Sequence, residues 1–157
     1  MAHMTGLQGD EAEREPLGRL VLCPVHESVP RARRWFRTFI AKETLARSTD
    51  DCLLLISELV TNAIVHGESD GLWRVRVEWY RAGASLRVEV HNPGFPARVR
   101  LRRPAAREAH GRGLWIVNEL ADEWWSGPSP YTGTVVGFLM HKMFVGSSSQ
   151  DPERGRA

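Results

Sequence analysis

The sequence predicts an α+β protein: a two-layer α/β sandwich with a mixed, mostly antiparallel sheet and its helices on one face. Three observations predict it. Segments of strand and helix periodicity follow one another as strand, two helices, two strands, a long loop, a helix and two strands. The strand segments alternate apolar with charged residues, the pattern of antiparallel strands with one face on a core. The length, 157 residues with 42% hydrophobic and 25% charged content, suits one domain with one core.

Taken in order, Leu17 to Pro24 (LGRLVLCP) reads as a strand stopped by proline. Ser28, with Pro30 just behind it, reads as a helix start. That helix carries Ala32, Trp35, Phe36, Phe39 and Ile40 at three- and four-residue spacing, a single apolar stripe. A second helix begins near Ser48-Thr49-Asp50-Asp51, where small polar and acidic groups suit free amide hydrogens, and ends at Gly67. Leu72 to Tyr80 and Leu86 to Val90 are half-buried strands joined by a turn around Gly83. Asn92 to His110 is a long loop rich in Pro, Gly and Arg, and a loop of that length in a compact domain is functional or disordered. Gly111 to Ala121 returns to helical periodicity. Glu123 to Ser126 and Gly133 to Met143 close the chain as strands around a Gly-Pro-Ser-Pro turn. The expected domain is therefore 17–145, between polar tails at 1–16 and 146–157 expected to be disordered. The opening Met1-Ala2-His3-Met4 has the look of an expression scar.

Several function classes are disfavoured. There is no apolar run of bilayer-spanning length and no basic-then-apolar leader, so a cytoplasmic protein without a membrane role is expected. The net charge of +2 is too small to argue for nucleic acid, and no helix-turn-helix pattern is present. Cys23 and Cys52 sit singly in apolar surroundings and read as reduced core residues. The six tryptophans are assigned to the core by default, with Trp73, Trp115, Trp124 and Trp125 as candidates for a partner contact.

Three patches carry chemistry. In ELVTNAIVHG, Glu58, Asn62 and His66 follow at four-residue steps, each about 40° round the helix and roughly 6 Å along it, so they form one polar stripe. Leu55, Ile56, Leu59, Val60, Ala63 and Ile64 take the remaining surface. A carboxylate and an amide oxygen on one stripe suit magnesium, and the carboxylate suits activation of a hydroxyl or water nucleophile in phosphoryl transfer. The second patch, Asn92-Pro93-Gly94-Phe95-Pro96, follows a strand, where glycine lets a ligand approach the backbone. The third, His110-Gly111-Arg112-Gly113-Leu114, opens a helix whose first amide hydrogens attract phosphate. A solvated helix face, an ordinary turn and a hinge would explain the three patches taken singly. Their order and spacing are the more specific signal.

Together the patches resemble the nucleotide-binding boxes of the GHKL, or Bergerat-fold, ATPases, which include gyrase, histidine kinases and MutL. Within that superfamily the chain most resembles the anti-sigma factor serine/threonine kinases, RsbW/SpoIIAB-like proteins abundant in actinobacteria. ELVTNAIVHG is similar to the E-x-x-x-N-x-x-x-H box, GRGLWIVNELADEW to the G-x-G-L segment, and GTVVGF to the closing G-T-x-V strand. The resemblance covers about residues 17–144. An arginine bias, with Lys42 and Lys142 the only lysines, is what a GC-rich coding sequence gives and fits an actinobacterial source.

The resemblance implies ATP/ADP and Mg2+ as ligands, Glu58 as catalytic general base and Asn62 as metal ligand. It implies nucleotide contacts from Asn62, His66, Asn92, Gly94, Gly111, Arg112, Gly113, Leu114 and Thr134. Gly94 would lie against the adenine, Gly111 and Gly113 around the phosphates and Thr134 behind the base. Asn92–His110 would be the lid, its Arg98, Arg100, Arg102, Arg103 and Arg107 facing phosphate or an acidic partner. The implied partners are a sigma factor and a STAS-domain anti-anti-sigma factor phosphorylated on serine, with a homodimer expected. The family's first glycine box opens with aspartate, and this chain has Asn92 there. That departure favours an alternative, a non-catalytic partner-binding regulator with a weakened or retired nucleotide site. A histidine kinase is disfavoured because no long helical hairpin carries a phosphoacceptor histidine.

Overall fold

The computed structural model describes residues 14–66, 73–92 and 112–146. Eight elements are present there: β1 (Arg14–Leu22), α1 (Ser28–Ile40), α2 (Asp50–His66), β2 (Val75–Ala82), β3 (Ser85–Asn92), α3 (Arg112–Leu120), β4 (Glu123–Pro128) and β5 (Thr134–Met140). The five strands form one sheet in the order β1-β2-β3-β5-β4. Each pairing is antiparallel, so no parallel component appears among the described residues.

Strand alternation sorts the sheet into two faces. Leu20, Leu22, Val75, Val77, Trp79, Leu86, Val88, Val90, Val136, Phe138 and Met140 face the helices, and all but the partly covered Leu20 are buried. Against them α1 contributes Ala32, Phe36 and Ile40, and α2 contributes Cys52, Leu55, Ile56, Leu59, Val60 and Ala63. α2 packs between α1 and α3 and reaches down to β3 and β2. The result is the two-layer arrangement that the periodicity predicts.

Some local expectations change. β1 starts at Arg14, three residues before the predicted Leu17, because a register shift between Pro16 and Gly18 lets the chain keep pairing with β2. Ser28 does open α1, but its hydroxyl donates to the Cys23 carbonyl at 2.7 Å and supplies no cap. Trp35 lies on the α1 stripe yet is exposed, stacking on Phe39 at 5.6 Å between centroids. Cys23 is exposed at the end of β1, and only Cys52 is a core thiol; both are free. Among the tryptophans, Trp79 and Trp124 are buried, whereas Trp73, Trp115 and Trp125 are half-buried. The β2–β3 hairpin turns on Gly83 at φ +60°, the left-handed conformation that glycine adopts without strain. Of the expected tails 1–16 and 146–157, residues 14–16 belong to β1, and residues 1–13 and 147–157, like the helix end at Gly67, lie outside the described residues.

Candidate nucleotide site

α2 positions the first group of candidates. Its apolar residues are committed to the sheet and to α1, which leaves Glu58 and Asn62 on a half-buried strip and His66 exposed at the last turn. The stripe read from the sequence is thus real, but it is graded: its two chemically useful members are partly shielded and its third faces water. Burial pushes the Glu58 carboxyl above its ordinary value of 4.5. A carboxylate raised in this way is a better proton acceptor than one in bulk water.

The end of β3 positions the second group. Asn92 and Thr134 are direct cross-strand partners between β3 and β5. Both continue the helix-facing rows of their strands, after Val90 and before Val136. Thr134 is buried and Asn92 half-buried, so sequence positions far apart meet at one end of the sheet. α2 contacts both β3 and α3, which makes the three candidate segments neighbours in the fold.

The third group is reached only in part. α3 begins at Arg112, so Arg112, Gly113 and Leu114 form its first turn, where unpaired amide hydrogens suit phosphate. Gly94, Gly111 and the lid arginines Arg98, Arg100, Arg102, Arg103 and Arg107 lie outside the described residues.

The opposite face of the sheet holds what the sequence reading missed. There Glu78, Glu89 and His91 are buried, although alternation had marked both strands as charged on a half-buried face. Arg14, Arg76, Arg87, Tyr80 and Tyr131 close over them through ion pairs, hydrogen bonds and ring contacts. The signal was present in RVEWY and LRVEVH, two strands with acids at matching positions, but only pairing register brings Glu78 opposite Glu89.

An antiparallel sheet with helices on one face, a shielded carboxylate and amide on the central helix, and a phosphate-suited helix start fit an ATP-binding domain of the GHKL type. The sequence matches the family of the histidine kinase-like ATPase domain over residues 24–138, more than half of its length. The chain belongs to that family. Nucleotide binding, usually magnesium-dependent, comes with the membership. No curated protein matches the chain. Among the described residues no helix is long and apolar enough to cross a membrane.

Proposed function

We propose that this protein is an ATP-dependent regulator of the anti-sigma type, which binds a sigma factor and phosphorylates a serine of a STAS-domain antagonist. The observation that carries the reading is the half-buried pair Glu58 and Asn62 on α2, with the Glu58 carboxyl raised by burial, inside a histidine kinase-like ATPase domain. The donor set fits the ligand: hard oxygen atoms one turn apart suit magnesium, and the first turn of α3 suits phosphate. Asn62 would hold the magnesium ion, which when bound neutralises charge on the phosphates.

Glu58 takes the proton of the substrate serine hydroxyl. The serine oxygen bonds to the terminal phosphorus of ATP as the bond to the bridging oxygen breaks, and ADP leaves. Asn92 offers its amide oxygen to the adenine amino group, a neutral hydrogen bond where aspartate would make a charge-assisted one about twice as strong. This favours modest nucleotide affinity. It also supports the second reading, a partner-binding regulator that needs no phosphate transfer.

Calorimetric titration with ATP, ADP and GTP plus magnesium, followed by phosphate transfer to a STAS-domain serine, tests both. Transfer that is lost in Glu58→Gln supports the kinase. Nucleotide binding that appears only in Asn92→Asp supports the binding module.

A further inference from the structure

The face of the sheet away from the helices carries a converging set of donor atoms that the nucleotide reading does not use. Glu78, Glu89 and His91 are 5%, 8% and 3% exposed, and one ligand atom from each lies within 4.8 Å of the others. All three side chains are also held by neighbours. Glu78 Oε1 accepts from Arg76 Nε at 2.6 Å and from the Tyr131 hydroxyl at 2.7 Å, and Oε2 accepts from the Tyr80 hydroxyl at 2.5 Å. Glu89 Oε2 accepts from Arg87 Nε at 3.0 Å and Arg14 Nη1 at 3.2 Å. His91 Nδ1 lies 2.8 Å from Ser129 Oγ. His91 Nε2 is buried with no hydrogen-bond partner. It points between Glu89 Oε1 at 3.6 Å and Glu78 Oε2 at 3.9 Å.

We propose that Glu78, Glu89 and His91 form a binding site for a divalent first-row transition metal ion of the zinc type, separate from the nucleotide site. Two carboxylate oxygens and one imidazole nitrogen are a mixed set that suits zinc, whereas magnesium avoids imidazole. Ligands about 2.1 Å from a tetrahedral ion stand roughly 3.4 Å apart; the two gaps to His91 Nε2, 3.6 and 3.9 Å, exceed that by a few tenths of an ångström, and all three donor atoms lie within 4.8 Å of one another. An imidazolium held between two carboxylates would instead close to about 2.8 Å as a charge-assisted hydrogen bond. In the tautomer whose Nδ1–H donates to Ser129 Oγ, Nε2 carries the lone pair a metal needs, and the tyrosines and arginines orient the carboxylates.

Three guanidinium groups beside a dication weaken its binding, so a modest affinity is expected. Access runs through a pocket of about 430 Å³ lined by Arg19, Arg76, Glu78, Tyr80 and Tyr131. Tyr131, 46% exposed, stands edge-on to His91 at 5.1 Å between centroids and covers that side of the cluster.

The test is a titration of the metal-depleted, nucleotide-free full chain with Zn2+ by calorimetry and with Co2+ by visible absorption. Expected are one ion per chain, no competition from Mg2+, and a loss of affinity of at least about tenfold to a hundredfold in Glu89→Gln and His91→Ala. Ser129→Ala, in the β4–β5 loop, weakens binding about tenfold without touching a ligand and guards against variants that fail to fold. Glu58→Gln and His141→Ala leave binding unchanged. No binding overturns the proposal. So does binding that persists in His91→Ala and Ser129→Ala, which would place the ion on surface histidines or Cys23.

Discussion

Glu58 sits where burial and chemistry pull against each other. Its folded value is raised by desolvation, so it favours the fold below the ordinary 4.5 and loses that advantage as pH rises through the elevated folded value. Around neutral pH the charged, half-buried carboxylate is therefore a cost, of the kind active sites tolerate. Glu58→Gln is expected to lower phosphate transfer by about 10²–10⁴-fold while leaving the melting temperature unchanged or higher, read by phosphotransfer and thermal melting at pH 7.5. In the native protein the acid limb of the rate profile should lie above pH 4.5. At Asn92 the change to aspartate restores a charged acceptor worth on the order of 1 kcal/mol, so ATP should bind about five- to tenfold tighter by calorimetry. The cysteines differ in the same local way. Burial pushes the Cys52 thiol up to about 12, whereas Cys23 is exposed. A thiol reagent at pH 8 should modify one thiol per native chain and the second only on unfolding.

Among the elements, β4 and β5 show how backbone approach fixes a side chain. Trp125 lies opposite Gly137, and a Cβ there would meet the indole at 2.1 Å. Arg87 stacks on the same indole, its guanidinium carbon 4.2 Å from the ring centroid, and also holds Glu89. Gly137→Ala must therefore displace Trp125, at a cost of about 1–3 kcal/mol of overpacking. Its melting temperature should fall by roughly 2–12 °C, with a changed tryptophan fluorescence spectrum as the structural readout. The glycine stands in GTVVGF just past the G-T-x-V motif, and nothing in the sequence marks its role against Trp125. Two residues distant in sequence share that contact only after the strands have paired. α2 illustrates the opposite case. Its stripe of Glu58 and Asn62 follows from helical spacing alone, since four-residue steps put them on one side whatever the helix packs against.

At the scale of the molecule, the fold outruns the family match, which ends at residue 138. Met140, Met143 and Phe144 are fully buried, and Phe144 lies under the Arg81 guanidinium at 4.9 Å. The C-terminal segment is tied at both sides: Met143 N and Phe144 N donate to the Ala84 carbonyl at 2.8 and 3.0 Å, and Val145 N donates to Thr44 O at 2.9 Å. Arg47 joins the same seam, reaching Asp122 at 3.2 Å and the His141 carbonyl at 3.0 Å. Phe144→Ala is expected to cost about 3–5 kcal/mol, a large share of the roughly 5–15 kcal/mol that holds a domain together. Denaturant melts should show a lower midpoint with an unchanged slope.

The sequence by itself determined the order of elements, the helix-facing rows and the Glu58–Asn62 stripe, because these depend on periods of two and 3.6 residues that local chemistry sets. It also marked Asn92 and Thr134 as separate motif positions. Only the tertiary structure decided that they are cross-strand partners, since register is a property of the pairing and not of either strand. The same holds for Glu78, Glu89 and His91. Alternation puts Glu78 and Glu89 on the charged face of their strands, and nothing local marks that face as covered. Stacking β2 on β3, with Arg14, Arg76 and Arg87 paired to the acids and Tyr131 folded across, turned that face into a buried cluster. Burial of a polar side chain is set by what closes over it, and the covering residues come from β1, β2, β3 and the β4–β5 loop.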